Sequence, residues 1–167
     1  MTSAFLIEQT GNFLETEAYK NNASSLRWWQ AVDQPLFRAY SDTPQTMIGS
    51  WTEIKLIIDL QGPSAHEVGQ YHYVVETNIP SANEEEFNDW YNTEHLPGLS
   101  RVPGTISAKR YVRLSGSPRY IACYEVVSPA VLESPEWLAV RHTAWSSRIR
   151  PMFQNTFRQM YTRPYIP

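Results

Sequence analysis

Residues 70–97 read QYHYVVETNIPSANEEEFNDWYNTEHLP, and this stretch predicts a strand followed by a helix. Gln70–Asn78 is rich in β-branched and aromatic residues, which is typical of a strand. Ser81–Glu84 has the spacing of a capping box and leads into further glutamates, which stabilise the positive end of a helix. We expect the helix to end at about His95, because Pro97 follows it.

The residues that follow predict two strands, a second helix and a last strand. The predicted elements are a strand over 105–114, a strand over 119–127, a helix that begins at Ser134–Glu136 and ends before Pro151, and a strand over 157–165. With the first strand and helix, the order is β-α-β-β-α-β, which is a ferredoxin-like unit of the α+β class. Because its helices cover only one face of the sheet, we expect a second sheet to bury the other face and form an α+β barrel.

The first 69 residues contain weak echoes of this unit. Three pairs of segments resemble each other: Phe5–Thr10 and Tyr73–Asn78, Phe37–Tyr40 and Ala108–Tyr111, and Lys55–Ala65 and Ile121–Val131. The similarity predicts a shortened, degenerate repeat over 1–69 ahead of the complete unit over 70–167. Chance alternation of strand residues is the alternative. Because Gly62–Ala65 leads almost directly into the next strand, we expect at most three strands in the first half, with no second helix and no fourth strand.

Composition narrows the class of protein. The chain has 167 residues, of which 42% are hydrophobic, and this is enough for a folded core. Charged residues occur throughout, which excludes a membrane span, and the N-terminus lacks the pattern of a secretory signal. The single cysteine, Cys123, excludes an internal disulfide, so we expect a cytoplasmic protein. The net charge of -3 argues against nucleic acid as a partner.

Arginines are concentrated near the C-terminus. From Trp137 onward the chain has five arginines and no acidic residue. This distribution is typical either of a strip that faces an anion or of a solvated helix face followed by a strand. The sequence leaves both interpretations open.

The motif that carries chemistry lies at the end of the first predicted helix. Residues 90–97 follow the pattern W-Y-x-x-E-H-x-P, V-P-G follows at 102–104, and R-Y follows at 110–111. Over residues 70–165 this pattern resembles the EthD-like members of the dimeric α+β barrel superfamily. The resemblance implies that fold, whose members include cofactor-free monooxygenases, lactone isomerases, polyketide cyclases, dehydratases, haem-handling proteins and proteins of no known activity. The four histidines lack the spacing of a metal site and no nucleotide-binding motif is present, so we expect neither metal nor cofactor.

Tyr91 and His95 are the predicted catalytic residues. They are four residues apart and share one helix face, with Phe87 one turn earlier. His95 is the best general acid or base, because imidazole titrates near neutral pH, and Tyr91 or Asn92 would orient it or bind a substrate oxygen. In the resembling family the helix-end histidine faces a cavity between helix and sheet, which implies the same for His95. The alternative is a histidine that only caps the carbonyls at the helix end.

A second group of polar residues lies on the first strand of the unit. His72 and Glu76 alternate onto one face of this strand, which predicts either a polar cavity or a hydrogen-bonded network between two sheets. We expect Arg110 to pair with Glu76 or Glu125 in such a network. The predicted substrate-binding residues are Asn92, Phe87, His72, Glu76, Arg110 and Trp145, and the aromatic members would form walls around a small aromatic substrate.

These observations lead to three hypotheses of function. The first is a cofactor-independent enzyme that carries out dehydration, cyclisation or isomerisation on an aromatic or polycyclic secondary metabolite such as a polyketide, with His95 as the proton carrier. The second is cofactor-free oxygenation of a phenolic substrate. The third is a non-catalytic protein that binds a small molecule. We also expect a homodimer, because a first half of three strands would leave part of the apolar sheet face uncovered.

Overall fold

The structure is a computed structural model that describes residues 2–13, 16–22, 26–45 and 49–164. Its strands are β1 (Ser3–Thr10), β2 (Trp28–Ala31), β3 (Leu36–Ser41), β4 (Thr52–Gln61), β5 (Tyr71–Asn78), β6 (Thr105–Arg113), β7 (Tyr120–Val126) and β8 (Gln154–Thr162). Its α-helices are α1 (Glu17–Asn22), α2 (Glu84–Trp90), α3 (Leu96–Ser100), α4 (Pro135–Arg141) and α5 (Ala144–Ile149). The end of the last predicted strand, Tyr165, lies outside the described residues. No helix in the described ranges is both long and apolar enough to cross a membrane.

The strands form a closed antiparallel barrel in the order β1-β3-β2-β8-β5-β7-β6-β4. Strands β5 to β8 lie in the order β8-β5-β7-β6, which confirms the predicted ferredoxin-like unit. Strands β1 to β4 lie in the equivalent order, β4-β1-β3-β2. The two units join where β4 pairs with β6 and where β2 pairs with β8. The first half of the chain therefore buries the open face of the second sheet, as the α+β barrel prediction requires.

The first half has one strand more than the sequence indicates. The expectation of at most three strands is wrong, because Trp28–Ala31 forms the short strand β2. A run of four residues is too short for a clear alternating pattern, and its two tryptophans fit any buried element. The repeat is also shifted by one strand, since the barrel order makes β3 equivalent to β7 and β4 equivalent to β8. The sequence similarity had instead matched the segment of β3 with that of β6, and the segment of β4 with that of β7.

The closed barrel changes the argument for a homodimer. The chain covers the second sheet with its own first half, so the described strands leave no open sheet edge or inner face. The large apolar side chains that are most exposed in the described residues are Val32, Val68 and Leu114, which come from three separate loops. The homodimer stays a prediction, but an uncovered sheet face no longer supports it.

The helix that carries the motif does not end at His95. Tyr91–His95 forms a π-turn, and the chain continues directly into α3. The amide of Leu96 donates to the carbonyl of Tyr91, five residues back. Within an α-helix, the ring of Pro97 would crowd the carbonyl four residues back, and a wider turn directly before the proline relieves this conflict. The predicted helix end is therefore wrong, because the rule behind it assumes α-helical spacing.

The barrel wall separates a buried interior from buried layers on its outer side. Inside the barrel, apolar side chains such as Leu6, Ile54 and Val74 pack together. Outside the second unit, α2 to α5 pack on the sheet through a layer that includes Trp90 and Trp137. Because side chains alternate along a strand, neighbouring residues of β5 face different layers. The predicted site residues on β5 and on the helices can therefore lie on opposite sides of one sheet.

Candidate functional site

A small cavity of about 40 Å³ lies between the helices and the outer face of the second sheet, and we call it the outer cavity. Its lining residues are Tyr73, Val75, Tyr124 and Arg158 from the strands, and Tyr91, His95, Leu99, Leu132, Trp137, Arg141, Arg150 and Phe153 from the helices and the segments that join them. Both predicted catalytic residues are in this set. The motif therefore brings Tyr91 and His95 to a cavity between helix and sheet.

His95 is held in place by aromatic rings. Its imidazole stacks on Trp90, with the ring centroids 4.2 Å apart and the planes inclined by 24°. The ring of Tyr91 meets it edge-on, at 5.3 Å and 86°. Trp90 and His95 are five residues apart, which is the hydrogen-bonding period of a π-turn. Sequence reasoning missed this stack because α-helical spacing places the two side chains on different faces.

His95 is uncharged at neutral pH. The residue is 6% exposed, and its Nδ1 atom has no hydrogen-bond partner within the described part of the chain. Burial, followed by the charges of Arg150 and Arg141, lowers the pKa of His95 to about 3. A neutral imidazole carries one N–H group and one free lone pair, so it is able to accept a proton. A histidine that serves only to cap helix carbonyls would donate through Nδ1 or Nε2, and Nδ1 makes no such bond.

Three arginines surround the outer cavity without a carboxylate among them. Arg141, Arg150 and Arg158 form no ion pair with any acidic group of the described residues. Nη1 of Arg150 donates to the carbonyl of Arg141 at 3.3 Å, which ties these two chain positions together. Burial, followed by the charges of Arg141 and Arg158, lowers the pKa of Arg150, so the three guanidinium groups repel one another and an anion in the cavity would relieve this repulsion.

The other two C-terminal arginines have different surroundings. Arg148 donates to Glu86 through Nε at 2.9 Å, on the exposed face of the helical layer. Arg163 lies over the ring of Trp29 at 3.8 Å. Three of the five arginines thus line a cavity and Arg148 belongs to a solvated helix face; that the three face an anion stays a prediction.

Arg110 lies in a cage of aromatic rings on the outer side of the sheet. Its guanidinium lies 4.7 to 4.9 Å from the ring centroids of Phe87, Tyr91 and Tyr120. Nη1 donates to Asn92 Oδ1 at 2.6 Å, and a second bond of equal length joins Nη2 to Oδ1 of Asn88. Burial lowers the pKa of Arg110 to about 10, so the side chain remains charged at neutral pH.

The predicted ion pair of Arg110 with Glu76 or Glu125 is wrong. Arg110 points away from the barrel interior, whereas Glu76 points into it and Glu125 binds Arg27 at one end of the barrel. Because side chains alternate along β5 and β6, Glu76 and Arg110 face opposite sides of the sheet. Phe87 and Asn92 do not line the outer cavity; both contact Arg110, which in turn lies against Tyr91.

Two tyrosines provide neutral hydrogen-bonding groups at the outer cavity. Burial raises the pKa of Tyr91 to about 12, although the charge of Arg110 opposes this effect. Burial, followed by the neighbouring Tyr91 and Tyr73, also raises the pKa of Tyr124. Both hydroxyls therefore keep their protons at neutral pH. Sequence reasoning missed Tyr124, because it lies on a strand with no motif.

The remaining predicted site residues lie elsewhere. Trp145 donates from Nε1 to Glu86 at 3.2 Å and does not line the outer cavity. Glu76 lies inside the barrel and pairs with Arg38 and Arg113, so this part of β5 is the predicted hydrogen-bonded network. His72 also lies inside the barrel, beside a second cavity. The predicted site residues therefore lie in four places. Tyr91 and His95 line the outer cavity, Phe87, Asn92 and Arg110 lie together beside Tyr91, Trp145 lies on the helix surface, and His72 and Glu76 lie inside the barrel.

Comparisons with known proteins identify the fold. No family model and no curated protein sequence matches the chain. A protein described as a major regulator of staphylococcal pathogenesis superposes with a TM-score of 0.68 and 12% identity, covering 98% of this chain and 99% of the other. A heme-degrading enzyme from Listeria monocytogenes has a TM-score of 0.65 and 11% identity, covering 97% and 99%. An anthrone oxidase-like protein has a TM-score of 0.62 and 12% identity, covering 98% and 91%.

These similarities extend over nearly the whole chain and concern architecture alone. At such low identity, shared architecture does not transfer an activity or a substrate. The barrel order and these likenesses together show a ferredoxin-like α+β barrel fold, with both units in one polypeptide.

Proposed function

We propose that this protein is a cofactor-independent enzyme of the EthD-like type that transfers protons on an aromatic substrate. The substrate would react as an anion, such as an enolate or phenolate, and His95 would carry the proton. One observation supports this proposal above others: within the described residues, an uncharged His95 with an unpartnered Nδ1 lies at a cavity bounded by three arginines that have no acidic partner.

The arginines favour an anionic reacting group. Arg141, Arg150 and Arg158 supply positive charge on the side of the cavity that faces the helix ends and β8. Fixed charges that face a developing anion lower the free energy of the transition state more than that of a neutral substrate. The planar guanidinium groups also stack well on aromatic rings. Because the cavity is small, only the reacting end of the substrate would enter it, with the remaining rings over the arginines.

Binding of the substrate would make His95 a better base. In the empty site the charges of Arg150 and Arg141 add to burial in lowering the pKa of His95. A negative group among these arginines cancels that part of the effect, so the imidazole gains affinity for a proton as the substrate loses one. His95 would then return the proton to a different atom of the substrate. A proton moved in this way leads to isomerisation, to dehydration or to ring closure.

Proton exchange tests the proposal without knowledge of the full reaction. Anthrone, a tricyclic ketone with an acidic CH₂ group, would be incubated with the protein in D₂O, and deuterium uptake would be followed by NMR. We expect the protein to accelerate uptake, and His95→Gln to reduce the acceleration at least about 100-fold. The exposed His142 provides the matched control, and His142→Gln should leave the rate unchanged. Equal rates in wild type and His95→Gln would refute the role of His95.

Anion binding is a separate measurement on the same cavity. Benzoate at about ten times its dissociation constant should raise the melting temperature by about 3–6 °C. Arg150→Gln should remove most of this shift, whereas Arg101→Gln, a change at an exposed arginine, should preserve it. Binding of benzoate without any catalysed exchange would support the non-catalytic alternative. A shift that survives Arg150→Gln would contradict the proposed anion site.

Cofactor-free oxygenation is the second candidate, and the same cationic wall favours it. A carbanion stabilised by the arginines is electron-rich and able to react with dioxygen directly. The CH₂ group of anthrone would become a carbonyl, with one oxygen atom of O₂ entering the product and the other leaving as water. An oxygen electrode distinguishes the candidates, because proton transfer alone consumes no oxygen.

A further inference from the structure

A second cavity, of about 140 Å³, lies inside the barrel at one end, and we call it the barrel cavity. Its inner wall is formed by Trp29, Tyr40, His72, Tyr111 and Cys123. It is separated from the outer cavity by the sheet, because the side chains of β5 that line the two cavities point in opposite directions. The proposed function uses no residue of this wall.

His72 gives the barrel cavity an unsatisfied polar group. The residue is 4% exposed, and its Nδ1 atom has no hydrogen-bond partner within the described part of the chain. Its Nε2 atom lies 3.1 Å from the hydroxyl of Tyr40, and its ring stacks on Trp29 at 4.7 Å and 16°. These contacts hold the imidazole in one orientation. A buried nitrogen without a hydrogen-bond partner lowers the stability of the fold. A ligand that forms a hydrogen bond with this nitrogen would remove that cost.

The charge state of His72 defines what it offers to a ligand. Burial and the nearby charges of Arg38, Arg27 and Lys109 lower its pKa well below the ordinary value, so the ring is neutral. A neutral imidazole bonded through Nε2 offers at Nδ1 either an N–H donor or a lone pair, depending on the tautomer. A hydroxyl group on the ligand matches both cases, because it donates and accepts.

The size and walls of the barrel cavity favour a single aromatic ring. An apolar cavity of about 150 Å³ holds one benzene molecule. Three aromatic side chains, Trp29, Tyr40 and Tyr111, form much of the wall here. Cys123 adds a small, polarisable and uncharged surface, since burial raises its pKa to about 12 and keeps the thiol protonated.

The cations beside the barrel cavity already have partners. Arg27 binds Glu125 at 2.9 and 3.1 Å, and Lys109 binds Asp59 at 2.9 Å. This differs from the outer cavity, where the arginines form no ion pair with an acid in the part of the chain that the structure describes. An anionic ligand would therefore have to displace a carboxylate here, and an uncharged ligand would not.

The ion pair of Arg27 and Glu125 also marks the route of access. Both residues line the barrel cavity and a groove on the protein surface, together with Ser107 and Lys109. Half of the Arg27 side chain is exposed. A small molecule would enter beside this ion pair rather than through the packed barrel wall.

We propose that the barrel cavity is a second ligand site that takes an uncharged, single-ring phenol. The aromatic ring lies among Trp29, Tyr40 and Tyr111, and the hydroxyl group bonds to Nδ1 of His72. The site is independent of the proposed chemistry at His95, since the two groups lie on opposite faces of the sheet.

Ligand-observed NMR titrations of the full chain with p-cresol test this site. We expect millimolar or tighter binding of p-cresol, and binding at least about tenfold weaker in His72→Phe, which keeps an aromatic ring but removes the nitrogen. Toluene, which lacks the hydroxyl, should bind wild type and His72→Phe with similar affinity. His95→Gln should bind p-cresol as wild type does, because it changes only the outer cavity.

A second variant tests the site independently in case His72→Phe does not fold. Cys123→Leu fills the barrel cavity with a larger side chain and should abolish binding of both p-cresol and toluene. Melting curves of each variant establish that it is folded at the temperature of the titration. The proposal is overturned if wild type binds no p-cresol at millimolar concentration, if His72→Phe binds it equally well, or if His95→Gln loses it.

Discussion

The inner and outer sides of one sheet handle clustered arginines in opposite ways. Inside the barrel, Arg38 and Arg113 both bind the carboxylate of Glu76, and Arg38 also binds Glu8. Outside it, the arginines of the outer cavity have no acidic partner among the described residues. Acids among the described residues compensate the charges of the inner arginines, and they do not compensate those of the outer arginines.

This difference separates a structural use of charge from a functional one. A buried arginine such as Arg38, which has no exposed surface, is tolerated in a fold only when acids and hydrogen bonds compensate it. Uncompensated positive charge lowers stability, and departures of this kind concentrate where a protein binds a ligand. The comparison therefore predicts that the paired arginines inside the barrel serve stability and that the unpaired arginines of the outer cavity serve ligand binding, and three measurements test that prediction.

Removing the acid inside the barrel should have the largest effect. Glu76→Gln leaves Arg38 and Arg113 without their shared carboxylate in a buried environment. We expect a loss of about 3–5 kcal/mol in the free energy of unfolding, measured by urea denaturation. Glu85→Gln changes an exposed glutamate of α2 and should cost less than about 0.5 kcal/mol.

A small effect of Glu76→Gln on stability would contradict the interpretation that the inner arginines depend on their acids. A loss below about 1 kcal/mol would mean that the inner arginines need no acid. The lack of acids around the outer cavity would then carry no functional meaning.

Acid should destabilise the protein through its two buried histidines. The pKa of His95 is about 3 in the folded protein, whereas an unfolded histidine has a pKa near 6.5. The unfolded state therefore binds more protons as the pH falls from 7 to 5, and stability decreases over this range. The expected loss from His95 is about 2 kcal/mol, and His72, whose pKa is also lowered, adds a loss of the same sign.

Variants separate the two histidines. Urea unfolding at pH 7 and pH 5 should show that His95→Gln loses about 2 kcal/mol less than wild type between these values. His142→Gln, at an exposed position, should behave like wild type. Benzoate should reduce the acid sensitivity of wild type by neutralising the arginines around His95. An unchanged pH dependence in His95→Gln would show that His95 is not held neutral by its surroundings.

The second half of the fold was predictable because its elements are long and alternate clearly. The four predicted strands are confirmed, the last one beginning three residues earlier than predicted, and the predicted second helix is divided into α4 and α5. The cap at Ser134 is confirmed by the bond from the amide of Trp137 to the hydroxyl of Ser134. In the first half the segments Phe5–Thr10, Phe37–Tyr40 and Lys55–Ala65 predicted β1, β3 and β4, but β2 was missed because it is short and its tryptophans hide the alternation. A barrel closed within one chain also depends on pairing between distant segments, which a local pattern does not reveal.

The candidate site was predictable only where it follows one element. The spacing of Tyr91 and His95 placed both at one cavity, since both lie on one helical segment. The arginines that face them come from α4, from the turn after α5 and from β8, so only the folded chain brings them together. The π-turn escaped prediction for a related reason: it depends on the conflict between Pro97 and a helix that packing keeps continuous.

The smallest effect is expected for an arginine that has an acid but lies at the surface. Arg148 binds Glu86, and the two side chains are 56% and 37% exposed. Water and salt screen such a pair, so Arg148→Gln should cost at most about 1 kcal/mol in urea denaturation. The contrast with Glu76→Gln shows whether burial, rather than the mere presence of an ion pair, sets the cost. A loss as large as that of Glu76→Gln would mean that arginine–glutamate pairs stabilise this protein regardless of burial. The unpaired arginines of the outer cavity would then be expected to lower the stability of the protein severely whenever no anion is bound.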